Sequence, residues 1–349
     1  VVQVTRHGVQ TRSMGVAGML SSGEALVKMA VASLSDADIR LFLSDDGDSG
    51  FGAKRVMGRT AVGTVVALSS DISSFQLGDV VVVNQSDEEL ASCGCQAGLI
   101  QVRDASSSML LVPANMDVHV EDALLAADTL AVGMSLARMA VGNAGAEQAQ
   151  RRSYAVLGCN GIGLMAVAAL RLLAGDSAVI IAVDDEPKRR ELATRFEATQ
   201  ALGYSQAADA VKLVDSGRGV DGVVDASGRV DAFECAYSLL AVGGVLSSMS
   251  NSHTRHIPLS TAQLCNKSVR LSFGNRAAAC RQLFTTALKL IRAHRFPVID
   301  IVTHRISIDD AQKAYELAAD RPDECLTIVF YPSGHQPEGA ARALFSSLD

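Results

Sequence analysis

The sequence predicts an α/β protein: a doubly wound parallel sheet behind a first region of irregular β structure. Three observations point there. Residues Tyr154 to Asp185 read as a short buried strand, a glycine turn, an apolar helix, and a second buried strand that ends in acid. Apolar strand patterns then recur at Val220–Asp225, Gly243–Leu246 and Ser268–Phe273 with helical stretches between them, the alternation that builds a parallel sheet covered on both faces. The first third instead carries short apolar runs separated by turn residues.

Taken in order, the Val-rich start suggests one edge strand followed by loop through residue 24. Residues 25–33 alternate well enough for a strand, and Ser44 to Gly52 is an acidic, Gly-rich surface loop. Ala61–Leu68 and Asp79–Val83 read as strands joined at Gly78-Asp79, residues 84–108 as loop-rich, and Met109–Val112 as a strand stopped by Pro113. The pattern turns helical from Val120 to Val141. Beyond the parallel-sheet region, residues 278–294 put Leu283, Phe284, Ala287, Leu288 and Ile291 on one helical face. Val298–Arg305, a helix over Asp309–Ala319 and a strand over Leu326–Tyr331 lead into a polar tail after Pro332.

The turn reads Gly158-Cys159-Asn160-Gly161-Ile162-Gly163. In a G-x-G-x-x-G turn the first glycine allows the tight bend, the second lets the backbone approach a pyrophosphate, and the third lets the helix pack on the strand. Asn160 stands at the second position, where a side chain crowds the phosphate, and Gly161 restores some room. Asp184 lies about 20 residues on, where an acid meets a ribose 2′-hydroxyl. Asp184, Asp185 and Glu186 together repel a 2′-phosphate, which favours NAD over NADP. Lys188, Arg189 and Arg190 are placed along the next helix. The dinucleotide candidates are therefore Gly158, Asn160, Gly161, Ile162, Gly163 and Asp184.

Composition narrows the classes. The 349 residues suit about two domains, the charge is −7 from 31 basic and 38 acidic residues, and 48% are hydrophobic. No basic block suggests nucleic-acid binding, and Asp128, Arg138 or Arg171 interrupt the longest apolar stretches, so none reads as a membrane span. No secretory signal pattern is visible at the start. The seven cysteines are scattered, with only Cys93 and Cys95 close, which suggests an intracellular, reducing compartment.

Several segments resemble the zinc-type alcohol dehydrogenases of the medium-chain dehydrogenase/reductase superfamily. They are Ala32 to Ile39, Val56 to Gly63, Phe75 to Val81, Val156 to Ala168, and Ile301 to Ala314. Asp128-Thr129 resembles the subgroup acting on secondary alcohols, in which Asp is the third zinc ligand. The resemblance implies a GroES-like β-barrel domain over 1–129 and 276–349, and a Rossmann-type nucleotide-binding domain over 130–275.

The departures bear on chemistry. The family places Cys where this chain has Ser35, a hydroxyl where it has Ala37, Gly-His-Glu at Gly58-Arg59-Thr60, and a proton-relay His at Arg40. Of the implied ligands only Asp128 survives among the degenerate positions Ser35, Arg59, Thr60 and Asp128. A serine hydroxyl binds zinc poorly and a guanidinium repels it, so the pattern argues against a bound zinc. Cys93 and Cys95 alone do not supply a four-cysteine structural site. The expectation is that Arg59 pairs with Asp128, with Ser35 donating a further hydrogen bond.

Other candidates have plainer readings. His253 and His256 are a loop pair or a metal pair. Cys159 is a packing residue, or a thiol activated by a helix N-terminus. The five tyrosines read as structural. Two functions follow. One is a non-catalytic relative serving as a structural, binding or regulatory subunit. The other is a zinc-independent NAD(P)-dependent oxidoreductase acting on a small carbonyl or activated alkene. Relatives pair through the edge strand matching Ser268–Phe273, so a homo-oligomer or a place in a larger assembly is expected.

Overall fold

The computed structural model describes residues 1–5, 8–12, 20–43, 56–85, 94–116, 118–142, 152–213, 217–249 and 257–334. The acidic loop at 44–52, Cys93, His253, His256 and the tail beyond 334 lie outside them, as does the side chain of Arg40. The chain divides into two compact units, Val1–Asp128 with Leu288–Asp349, and Thr129–Ala287.

In the first unit, β1 (Val2–Thr5) and β2 (Gly8–Thr11) form an antiparallel hairpin, where the sequence suggests one strand and a loop. Then come β3 (Ala25–Leu34), α1 (Asp36–Leu43), β4 (Thr60–Leu68), β5 (Val80–Asn84), β6 (Leu99–Val102), α2 (Ala105–Ser108) and β7 (Met109–Leu111). Within the loop-rich stretch 84–108 the short β6 pairs antiparallel with β3, Val27 opposite Ile100. An Ile-Gln-Val alternation is too short to stand out in sequence and is stabilised by the partner strand it finds. Nor is the first third of the chain all β, since α1 follows directly on β3.

Next, α3 (Val120–Leu125) runs into a π-helical turn, Ala126–Leu130, and on into α4 (Ala131–Val141). By length and composition Val120–Val141 could cross a membrane, but 78% of its apolar window is buried inside the protein, as in a core helix.

The second unit continues with β8 (Ser153–Leu157), α5 (Gly161–Ala174), β9 (Val179–Val183), α6 (Pro187–Arg195), β10 (Gln200–Leu202), α7 (Tyr204–Leu213), β11 (Val220–Asp225), α8 (Val230–Leu239), β12 (Leu240–Ser248), α9 (Thr261–Lys267), β13 (Arg270–Phe273) and the start of α10 (Arg276–Arg292), whose residues from Leu288 on belong to the first unit. The six strands are all parallel in the order β10-β9-β8-β11-β12-β13, so the order reverses between β8 and β11. Their central residues are buried, which is why they read as continuous apolar runs rather than alternations.

The chain then returns to the first unit with β14 (Val302–Ser307), α11 (Ala311–Asp320) and β15 (Thr327–Tyr331). β15 pairs antiparallel with β3 and parallel with β14, completing a seven-stranded sheet. Its core joins Val27, Met29, Val65, Val83 and Ile100 to Tyr315 and Phe330 of the returning segment. The Tyr315 hydroxyl donates to Gln96 Oε1 at 2.8 Å inside this core.

Candidate functional site

The first cluster begins where β3 ends. Ser35 and Asp38 cap α1 reciprocally: Asp38 Oδ2 accepts from the Ser35 amide (2.9 Å) and hydroxyl (2.6 Å), and Ser35 Oγ accepts from the Asp38 amide (3.3 Å). The other Asp38 oxygen accepts from Gly58 N at 3.0 Å, tying the helix start to the segment entering β4. Asp38 is buried. Burial raises its pKa above the ordinary carboxylate range, against the lowering by its hydrogen bonds and by the Arg59 charge.

This corrects the expected role of Ser35. Its single proton goes to Asp38, so the hydroxyl is not a donor to Asp128. Asp38 is the residue the sequence reading passed over, although the spacing of Ser35 and Asp38 before Ile39, Leu41 and Phe42 is a capping signature that could have found it. Arg59, half-buried, donates from Nη1 to the Gln85 carbonyl at 3.4 Å, and its charge reaches Asp38. Asp128 sits in the π-helical turn and is buried, with Thr129 beside it. Thr60 is fully buried opposite Asn84, and Thr60 Oγ1, Asn84 Nδ2 and Gln85 Oε1 have no protein hydrogen-bond partner among the described residues.

The second cluster is the glycine turn. Gly158 has φ +86°, a conformation that favours glycine, and a Cβ there would lie 2.8 Å from the Ser227 backbone. At Gly163 a Cβ would lie 1.8 Å from the Gly158 carbonyl oxygen, so only glycine lets α5 start against β8. Asn160 is the N-cap of α5: its Oδ1 accepts from Gly163 N at 3.0 Å and its Nδ2 donates to Ala226 O at 2.9 Å. Gly161 and Ile162 open the helix, where amides have no intrahelical acceptor and face an incoming anion.

Asp184 lies just past β9 and is buried. Its Oδ2 accepts from the Cys159 amide at 2.7 Å and its Oδ1 from the Glu186 amide at 2.9 Å, so the acid holds the turn itself. Arg190 lies on α6 and folds back, donating from Nη1 to the carbonyls of Asp184 (2.9 Å) and Asp185 (2.7 Å). Cys159 is fully buried and its thiol pKa is pushed up, first by burial and then by Asp184. It is a packing residue; the helix N-terminus does not activate it. Among the tyrosines, Tyr204 opens α7, and its pKa is likewise raised by burial.

Two family profiles match the chain: the alcohol dehydrogenase GroES-like domain over residues 21–122, and zinc-binding dehydrogenase over residues 161–293. A protein named probable zinc-binding alcohol dehydrogenase from Mycobacterium tuberculosis is 25% identical over 342 residues, covering 90% of this chain and 84% of the relative. The NADP-dependent isopropanol dehydrogenase of Clostridium beijerinckii is 25% identical over 338 residues, covering 88% and 93%. In fold, the chain is similar to an alcohol dehydrogenase from Thermus sp. ATN1, with a TM-score of 0.80 at 22% identity over 95% of this chain and 99% of that one.

Proposed function

From the premise that the chain belongs to the medium-chain dehydrogenase/reductase superfamily, in its zinc-type alcohol dehydrogenase-like branch, we propose that it is a nicotinamide-dinucleotide-dependent oxidoreductase acting without a catalytic zinc. It moves hydride to or from a small carbonyl or an activated alkene. The observation that carries the reading is the glycine turn: a left-handed Gly158, a helix starting in contact with the strand, and Asp184 at the strand end holding the turn. These residues fit a dinucleotide. A bound nicotinamide supplies the hydride; the first turn of α5 holds the pyrophosphate and Asp184 disfavours a 2′-phosphate.

The residues at the positions of the family's catalytic metal do not fit zinc. The Ser35 hydroxyl gives its proton to Asp38, and Arg59 brings a permanent cation into the same cluster. Among the described residues, no group of three or more His, Cys, Asp or Glu could hold an ion. In this reading Arg59 also pairs with Asp128 and neutralises that buried carboxylate.

A second reading, a non-catalytic subunit on the same fold, draws its support from Asn160, whose side chain stands where a glycine opens the phosphate path. Titration of NADH and NADPH followed by nicotinamide fluorescence, then turnover with a panel of carbonyls and enones, separates the two. Saturable NADH binding with turnover supports the oxidoreductase. Binding without turnover supports the subunit. No binding at millimolar cofactor removes the dinucleotide reading.

A further inference from the structure

The backbone of Asn160, with φ −70° and ψ 179°, is an ordinary extended conformation open to any residue. Nothing in the chain path requires a glycine there, and the side chain has taken on work of its own. One end of its carboxamide caps Gly163, and the other reaches the carbonyl of Ala226, 66 residues on. Ala226 directly follows β11, and β8 and β11 are the neighbours between which the strand order reverses. Ligands of doubly wound sheets lie in the crevice outside the strand ends at such a reversal. The carboxamide therefore spans the two lips of that crevice.

Both lips are held by hydrogen bonds to buried carboxylates. The loop leaving β11 is held by Asp225, whose Oδ1 accepts from Ser227 N (3.1 Å), Ser227 Oγ (2.7 Å) and Gly228 N (3.3 Å), while Oδ2 accepts from Ser248 Oγ (3.2 Å). The turn leaving β8 is held by Asp184 and packs directly on Ser227. The bridge thus joins two ordered walls, and a group crossing between them meets the carboxamide rather than a pliable loop.

We propose that Asn160 sets the affinity of this site for pyrophosphate-bearing ligands: its side chain is a bar across the crevice that a dinucleotide must displace. The bar also occupies the Gly163 amide, one of the donors at the helix start that an anion would otherwise meet. The inference rests on the dinucleotide reading above and adds to it which residue restrains binding and for which part of the ligand. The restraint falls on the pyrophosphate and not on an adenosine moiety that stops short of it.

The test uses the full chain with Asn160→Gly and Asn160→Ser, titrated calorimetrically with NADH, ADP-ribose and adenosine. Glycine is an acceptable N-cap, so folding should be retained, and thermal unfolding checks it. The glycine variant should bind NADH and ADP-ribose about tenfold tighter than the parent, the scale of one or two hydrogen bonds no longer broken on binding. The serine variant still caps the helix but cannot reach Ala226, and should gain less. Adenosine affinity should change by less than about twofold in either variant. Unchanged or weaker NADH and ADP-ribose binding by the glycine variant, with the parent still binding, overturns the inference and leaves the dinucleotide reading intact. A failure of every form to bind either pyrophosphate ligand overturns both.

Discussion

Arg305→Met should destabilise the first unit by about 3–5 kcal/mol, because it leaves a buried carboxylate without its cation. Glu121, on α3, has a side chain only 1% exposed. Its carboxylate accepts from Arg305 Nε at 2.8 Å and Nη2 at 2.6 Å, a two-point geometry, and from the Tyr331 hydroxyl at 2.5 Å. The network ties β14 and β15, the returning segment, to the helix that leads into the π-helical turn bearing Asp128. Burial and the Glu121 bond raise the Tyr331 pKa, so the phenol stays a donor. Spread over a unit of roughly 190 residues at ~2.1 cal/mol/K per residue, the loss lowers its melting temperature by about 8–12 °C. Glu121→Gln should cost less, about 1–3 kcal/mol, because the long Arg305 side chain can turn its head group towards water. Glu121→Leu combined with Arg305→Met should recover at least half of the single-variant loss, since no charge is then stranded. The chain has no tryptophan, so unfolding is followed by far-ultraviolet circular dichroism. An Arg305→Met loss under about 1 kcal/mol, or a double variant no better than the single, would refute the reasoning.

Purified protein should carry no stoichiometric zinc, and Ser35→Cys with Arg59→His should raise metal content towards one per chain. About one zinc in the parent, lost on Asp128→Asn, refutes the assignment of the site. Asp38 has a folded pKa raised by burial, so its contribution to stability is fully present below the ordinary value of 3.8 and is lost as pH rises through the raised value. The stability advantage of the parent over Asp38→Asn should therefore shrink from pH 4 towards neutrality, and a gap that widens with pH contradicts the burial argument. NADH should bind more tightly than NADPH by about tenfold or more, because the acids Asp184, Asp185 and Glu186 at the end of β9 repel a 2′-phosphate; a reversed preference in direct binding would place a basic residue of α6 in that role. The chain should sediment as at least a dimer, since β13 ends its sheet and Phe273 at its end is 52% exposed; a monomer at micromolar concentration argues against pairing there.

What was legible in the sequence is local. The strand, turn, helix and strand from Tyr154 to Asp184 could be read because burial on both faces writes a continuous apolar run, and because the tight bend at Gly158 and the contact at Gly163 admit little else. The strands of the first unit that carry enough β-branched residues, β3, β4 and β5, were equally visible. The four-residue β6 was not, because its identity comes from pairing with β3 and not from its own pattern.

Neighbouring residues alone specify a β-rich first region, a parallel α/β region and a dinucleotide-type turn, because backbone conformation and burial periodicity are written in them. The long-range partners of the polar groups of the site come from packing between elements far apart in the chain. The Ser35–Asp38 cap is local, but it is the entry into β4, bringing Gly58 to the other Asp38 oxygen, that ties this carboxylate to a distant segment. Asp184 could face solvent or ligand, and the fold turns it onto the Cys159 amide. Asn160 has four hydrogen-bonding sites and no preference among them until β11 delivers Ala226 beside the turn. A hydrogen bond is short-ranged and directional, so its partner is chosen by whatever the packing of distant elements brings within about 3 Å.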